Sequence, residues 1–349
     1  MSDNPRGAEK EMEKAIFISA DCWLEVFDLL PPVQLGLGIA MISHRFDRRV
    51  DEHFKTRKWK LGGMEIRSKI GENGANEMEL VKFANENSLP IPQKPLPNKV
   101  IGFGHILIYY FDHNVLTFLR HFHRFSSICT TLLFIRIENV QVAEFVVLNI
   151  WPMLKDTIRL VNLTAGTFQQ MRQFAPSMLN DCPSLQRIIF YDDILPKFPP
   201  DDSANASEGQ AVTKWLFTPH PNNLPKVLRC WMNSAVEEWS SAIEQIKAAF
   251  SSASAPLNFC LFFSFRLSAP FDSILPFQLI NGLTGEQLTL TKNANAFKLF
   301  RSPILCDVRE WWKKVIYAKQ NLFDISIRDD EVDESLLNAA SSAVPSDDH

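Results

Sequence analysis

Four histidines, His105, His113, His121 and His123, form the densest group of metal-ligating side chains in the chain. His121 and His123 lie two apart on an expected helix and so point in different directions, which makes a poor metal pair. His113 and His121 are two turns apart and can share a side; a surface or helix-end role is expected for all four. Asp192-Asp193 and Asp201-Asp202 are paired acids of the kind used in cation binding or proton transfer. Both flank a Pro-rich stretch around Pro199-Pro200 and read as solvated loop charges. Cys22, Cys129, Cys182, Cys230, Cys260 and Cys306 are widely spread, without a CxxC pair or a histidine at a recognisable catalytic spacing. They read as reduced, mostly buried thiols of a cytoplasmic or nuclear protein. The sequence contains no P-loop, GxGxxG or GxSxG motif. The expectation is a non-catalytic protein with no metal and no cofactor.

Arginine is the other patterned residue. Ile135-Arg136-Ile137, Ile158-Arg159-Leu160, Arg187-Ile188 and Leu228-Arg229-Cys230 each place an arginine beside apolar residues in a candidate strand. Successive strand residues point to opposite faces, so Arg136, Arg159, Arg187 and Arg229 are expected on the face away from the core. If the strands stack in parallel, the four form a basic column flanked by Tyr191 and Trp231. Guanidinium groups bind carboxylate and phosphate in bidentate fashion, so the column would suit an acidic or phosphorylated protein substrate. The plainer reading is a solvated face whose arginines pair locally, for example with Glu138.

Positioning these residues requires a strand framework, and the chain supplies one. Candidate strands centre on Ile106, Leu133, Ile158, Ile188, Leu228 and Phe259. Helical patterns fit between them at Asn114–Phe122, Ala143–Leu154, Phe168–Leu179, Gln210–Phe217 and Val236–Phe250. A strand-helix unit recurring every few tens of residues is the period of a leucine-rich repeat or similar solenoid, with an ordinary α/β sheet as the alternative. After Pro270 the pattern turns to strands at Phe277–Ile280, Gln287–Thr291 and Lys298–Phe300, with a turn signal at Asn281-Gly282. A further helix is expected at Asp307–Lys319. Residues 1–14 read as a flexible leader, 61–98 as a connector holding one helix at Glu77–Asn87, and 326–349 as an acidic disordered tail.

The composition fits this plan. Apolar residues make up 46% and charged residues 22%, ordinary for a globular protein. A net charge of −4 gives no electrostatic case for a nucleic-acid or membrane partner. Phenylalanine outnumbers tyrosine 27 to 4, which favours packing over chemistry. The longest apolar stretches, around Phe145–Leu154 and Leu257–Phe265, are too short to span a bilayer.

Residues 15–60 read as helical. Ser19 can cap a helix with Asp21 in its first turn and Trp23, Val26, Phe27 and Leu30 at helical spacing; Pro31-Pro32 ends it. Leu35, Leu37, Ile39, Ile42 and Phe46 continue the apolar pattern. Such a short segment cannot bury so broad an apolar face by itself. It must pack on the downstream domain or on a partner.

The stretch from Ile18 to Leu35, followed by Met41-Ile-Ser-His-Arg-Phe46, resembles an F-box. The family's pattern corresponds to Leu24, Val26, Phe27, Leu30, Leu35, Ile42, Ser43 and Phe46, with Ile18-Ser19 where the family has Leu-Pro. Downstream, Leu89-Pro-Ile-Pro-Gln93, Asp201-Asp-Ser-Ala204, Lys214-Trp-Leu216, Pro225-Lys-Val-Leu228, Leu283-Thr-Gly-Glu286 and Arg301-Ser-Pro-Ile304 resemble a lineage of F-box proteins expanded in nematodes. The resemblance implies a substrate-recognition adaptor that binds a Skp-type adaptor and, through it, a cullin-RING ubiquitin ligase. Leu24, Val26, Phe27, Leu30, Leu35, Ile42 and Phe46 would form the Skp-type contact. The expected architecture is α/β: a small N-terminal all-α F-box at 15–60, an irregular leucine-rich-repeat-like βα solenoid at 99–268, and a short C-terminal β-rich cap at 269–325. The alternative is a repeat-type interaction scaffold with no part in ubiquitin ligation.

Overall fold

The computed structural model describes residues 18–55, 59–70, 76–82, 88–92, 94–96, 100–102, 105–121, 130–232, 236–265, 274–293, 296–303, 322–327 and 332–341. The expected leader 1–14 and helix Asp307–Lys319 lie outside them.

The chain opens on helices. In α1 (Ala20–Asp28) the Ser19 hydroxyl accepts from the Cys22 N–H, satisfying one of the donors a helix start leaves unpaired. Pro31 and Pro32 break the chain before α2 (Pro32–Gln34), which continues through a π-turn at Leu35–Ile39 into α3 (Ala40–Ile42). Ser43 turns to extended backbone and caps α4 (His44–His53) by accepting from the Phe46 N–H.

Two small strand groups follow. Strand β1 (Trp59–Lys60) pairs in parallel with β5 (Val100–Gly102). Strands β2 (Gly63–Ile70), β3 (Asn76–Lys82), β4 (Ser88–Pro90) and β6 (His105–Ile108) form a sheet in the order β4-β3-β2-β6. The expected connector is therefore a sheet. The helix expected from Glu77 is corrected: residues 76–82 are a strand, because Leu80 and its neighbours find the antiparallel partner β2 across the Ile66↔Leu80 register. Helix α5 (His113–Arg120) is capped by Asp112, which accepts from the Val115 N–H at 2.7 Å.

The body is a nine-stranded mixed sheet. Strands β7 (Thr130–Ile135), β8 (Ile158–Leu163), β9 (Arg187–Phe190), β10 (Lys226–Met232) and β11 (Phe259–Phe265) lie side by side in chain order, all parallel. Each connection carries helix: α6 (Val140–Phe145), with a π-turn leading to α7 (Trp151–Leu154), then α8 (Ala165–Arg172), α9 (Glu208–Phe217) and α10 (Val236–Ser251). Five of the six expected strand centres and most of the expected helices fall within these elements; Ile106 lies instead in β6 of the four-stranded sheet.

Strands β12 (Phe277–Asn281), β13 (Glu286–Asn293) and β14 (Ala296–Pro303) then join the same sheet antiparallel on β11. They extend the sheet in the segment read as a short C-terminal β-rich cap. Strand β15 (Leu322–Ile327) returns to the opposite edge and pairs in parallel with β7. Within the expected tail 326–349, the described residues 332–341 are ordered, and the remainder beyond 327 lies outside the described residues. Helix α11 (Glu334–Ser341) follows Val332, which bridges to Phe111 and is 6% exposed, and Leu336 and Leu337 pack on the core.

One apolar core runs through the molecule. On the helix-covered face, Leu133, Val161, Ile188, Leu228, Leu261 and Leu299 form one continuous row across six strands, every member buried. Val33 and Leu37 of the N-terminal helices belong to this same core. Among the described residues no helix is long and apolar enough to cross a membrane.

Candidate partner-binding surfaces

The N-terminal helices have two apolar sides. Phe27, Leu35, Ala40, Val50 and Phe54 form their own small core, with Trp23, Leu24, Leu30, Ile39 and Phe46 packed around it. Trp23 and Phe46 meet edge to face at 4.9 Å between ring centroids. The helices dock on the body beside Gly36, where an added Cβ would stand 3.1 Å from Leu61. Of the sequence-expected contact residues, Phe27 and Leu35 are thus internal, at 0% and 1% exposure, because their faces close on α4 and its neighbours. Leu24, Leu30 and Phe46 are half-buried, and Val26 and Ile42 are exposed.

The outward side of α1 is also apolar. Cys22, Val26 and Leu29 follow at steps of four and three, one stripe of a helical surface, and Ile18 precedes the helix start. Ile18, Val26 and Leu29 are 39%, 42% and 84% exposed, and Ile42 is 64% exposed. Sequence reasoning passed over Leu29. Its step from Val26 was visible, but nothing in the spacing tells which of two apolar stripes faces inward.

The second surface is the sheet face away from the helices. Register places Leu160, Arg187, Val227, Cys260 and Phe300 in one row there. Val227, Cys260 and Phe300 form a small buried cluster with Phe262 beside it. The next row toward the strand C-termini is Asn162, Ile189, Arg229, Phe262 and Lys298. Beyond it lie Arg136, Tyr191 and Trp231.

The expected arginine column does not form. Arg187 and Arg229 share the face but sit two residues apart along adjacent strands, since Arg187 pairs with Val227 and Arg229 with Ile189. Arg136 follows the end of β7 on the same face, between the buried Ile135 and Ile137. Arg159 drops out altogether. A bulge pairs Thr131 with Ile158 and Leu132 with Leu160, so Arg159 is the extra residue, out of step with the others.

The local chemistry of this face is distinct. Arg229 lies over the Trp231 ring at 5.3 Å and Lys298 over the Phe262 ring at 5.6 Å. Asn162 donates from Nδ2 to the Tyr191 hydroxyl at 2.8 Å, while its Oδ1 is buried and accepts no hydrogen bond. Arg187 is half-buried with Nε making no hydrogen bond, and burial lowers its pKa. Arg136, Arg187, Arg229 and Lys298 form no salt bridge among the described residues, so the local pairing with Glu138 is not made. Lys298 and Asn162 were not singled out from sequence; only the register brings them here.

The other chemistry-bearing groups are used in folding. Asp192 accepts from the Ala165 N–H at 2.9 Å, and Asp202 from Asn180 Nδ2 at 2.6 Å. Asp201 accepts from both the N–H and the hydroxyl of Ser203, which lowers its pKa. Arg172, 6% exposed, donates to the carbonyls of Pro176, Ser203 and Ala206 and so pins the inserted loop. Cys182, Cys230 and Cys260 are buried free thiols, and Cys22 is exposed. His113 is exposed and His121 half-buried; no cluster of three or more His, Cys, Asp or Glu among the described residues could hold a metal ion. Among the described residues lie two open clefts. One of about 280 Å³ runs between α10 and Leu275-Pro276-Phe277, and one of about 210 Å³ lies at the starts of α8 and α9.

No family model, no curated protein and no solved structure matches the chain.

Proposed function

We propose that this protein is a substrate-recognition adaptor of a Skp-cullin-F-box type ubiquitin ligase, acting in the cytoplasm or nucleus. The N-terminal helices serve as the F-box, and the strand-helix units from β7 to β11 serve as an irregular, leucine-rich-repeat-like solenoid that holds a protein substrate. The observation that carries the reading is the exposed stripe Cys22, Val26 and Leu29, together with the exposed Ile18 and Ile42, on a helical unit with a filled core of its own. An apolar helical face left in water is a typical partner site. Its position agrees with the F-box resemblance of residues 18–46, although the contact shifts outward from Phe27 and Leu35 to Val26, Leu29 and Ile42. The chain's part in ligation is proximity: it holds the substrate near a catalytic step made by other subunits.

A second reading, a repeat-type scaffold with no ligase, draws support from Val33 and Leu37, which sink the helices into the main core. Co-purification with a purified Skp-type adaptor separates the two. The adaptor reading expects a stable complex, weakened at least about thirtyfold by Leu29→Asp, as for a central interface residue. No complex with the folded wild-type chain, or an unchanged one with Leu29→Asp, favours the scaffold.

A further inference from the structure

We infer that the outer sheet face near the C-terminal ends of β7 to β11 binds an extended, carboxylate-rich peptide segment. The inference deepens the adaptor reading, since it names the substrate class, and it rests on that reading only for calling the peptide a substrate.

Charge is the first argument. Arg136, Arg229 and Lys298 present cations on this face, with Arg187 half-buried behind them and none in a salt bridge among the described residues. The register sets Asp324, on the far edge strand, opposite Leu132. The patch is cationic on a chain whose net charge is −4.

Unsatisfied polar atoms are the second argument. Asn162 is 5% exposed and its Oδ1 has no donor, while the buried Nε of Arg187 on the adjacent strand has no acceptor. Buried polar groups are nearly always paired, so an acceptor and a donor left open on one face point to a ligand that supplies both. A peptide segment does so once the side chains covering these atoms move aside, with a backbone N–H for Asn162 and a carboxylate for Arg187. Tyr191, held by Asn162, and Trp231, under Arg229, flank the chain with rings.

Spacing selects carboxylates over a single phosphate. Arg229 and Lys298 share one row with Phe262 between them, two strand spacings or about 10 Å apart. Each head group rests over its own ring, Arg229 on Trp231 and Lys298 on Phe262, so the two cations are held apart and not gathered on one dianion. They match single charges three residues apart on a polyproline II chain, which returns to the same face every three residues, or about 9 Å.

The test uses the full-length chain and three fluorescein-labelled probes of about twelve residues, read by anisotropy. They carry glutamate, glutamine or phosphoserine at every third position, the period of a polyproline II chain. The glutamate probe should bind, the glutamine probe should not, and binding should fall at least about tenfold in Arg229→Glu/Lys298→Glu and on raising salt from about 50 to about 500 mM. Arg136→Glu serves in the same way if the double variant does not fold by circular dichroism. Equal binding of the glutamate and glutamine probes, or no effect of charge reversal, overturns the inference. Preference for phosphoserine over glutamate by more than about tenfold overturns the choice of carboxylate. Each preparation is also assayed with the Skp-type adaptor: probe failure with adaptor binding retained defeats this inference alone, and loss of adaptor binding by the wild-type chain defeats the adaptor reading.

Discussion

Arg301 donates from Nε and Nη2 to one oxygen of Glu286, Oε2, at 3.1 and 2.7 Å, with both side chains 2% exposed. The other oxygen of Glu286 accepts from the Leu257 N–H at 2.6 Å, and Arg301 Nη2 reaches the Ala255 carbonyl at 2.9 Å. Asn281 donates to the carbonyls of Phe250 and Ala253 at the end of α10. The β12–β14 hairpins are thus tied to the α10–β11 turn by a buried polar knot. Glu286→Ala should cost about 3–5 kcal/mol, because it strands a guanidinium in the core. Glu286→Leu/Arg301→Met should cost less than the sum of its single changes. Urea denaturation of the four proteins checks this, and additive losses would count against the knot.

Lys226 sits inside the molecule and donates from Nζ to the Trp215 carbonyl at 2.6 Å, at the end of α9. Burial lowers its pKa from 10.5 to about 8. Between those values the unfolded chain binds more protons than the folded one, so this residue makes stability rise with pH across that window. Below pH 8 its contribution is flat. The unfolding free energy of the wild type relative to Lys226→Met should therefore grow by about 1–3 kcal/mol from pH 8 to 10.5. Parallel pH profiles for the two proteins would show that the amine titrates normally.

Phe27 and Leu29 are two residues apart on α1 and face opposite ways, at 0% and 84% exposure. Phe27→Ala should lower stability by about 3–5 kcal/mol through the cavity it leaves. Leu29→Asp should change stability by less than about 0.5 kcal/mol. Thermal melts beside adaptor pull-downs distinguish a folding defect from a binding defect.

Helix α11 is held at its start. The Asp333 carboxylate accepts from the Tyr110 hydroxyl at 3.2 Å, the Asp333 N–H donates to the Phe111 carbonyl at 2.9 Å, and Val332 is buried beside it. Val332→Asp, or truncation before residue 332, should lower Tm by about 5 °C or more, since it buries a charge or removes Leu336 and Leu337 from the core. An unchanged Tm would show that this segment contributes nothing to folding.

Several elements are legible in the residue order alone. The runs around Leu133, Ile158, Ile188, Leu228 and Phe259 are adjacent parallel strands, and the apolar stretches between them carry helix. Alternation and helical spacing are local properties, so residue types alone express them. Ser19 caps its helix for the same reason. The Asn281-Gly282 turn is the four-residue loop Gly282–Gly285, with Gly285 at φ +69° and the Asn281 Oδ1 accepting from Leu283 and Thr284.

What the residues could not express locally was decided by distant partners. Residues 76–82 took the strand because β2 offered an antiparallel edge, where the same residues without that partner read as helix. Leu336 and Leu337 became core because the Phe111 segment was there to receive them. The extra residue at Arg159 and the two-residue offset of Arg229 from Arg187 broke the arginine column, and pairing across β8 to β14 brought Asn162, Arg187, Arg229 and Lys298 onto one face. By itself the sequence determined the alternating strand-helix order and the apolar N-terminal helices, because each turn or pleat follows from near neighbours. Only the tertiary structure decided which apolar stripe of α1 remains in water and which cations share a surface, because burial and register are set by contacts between segments far apart in the chain.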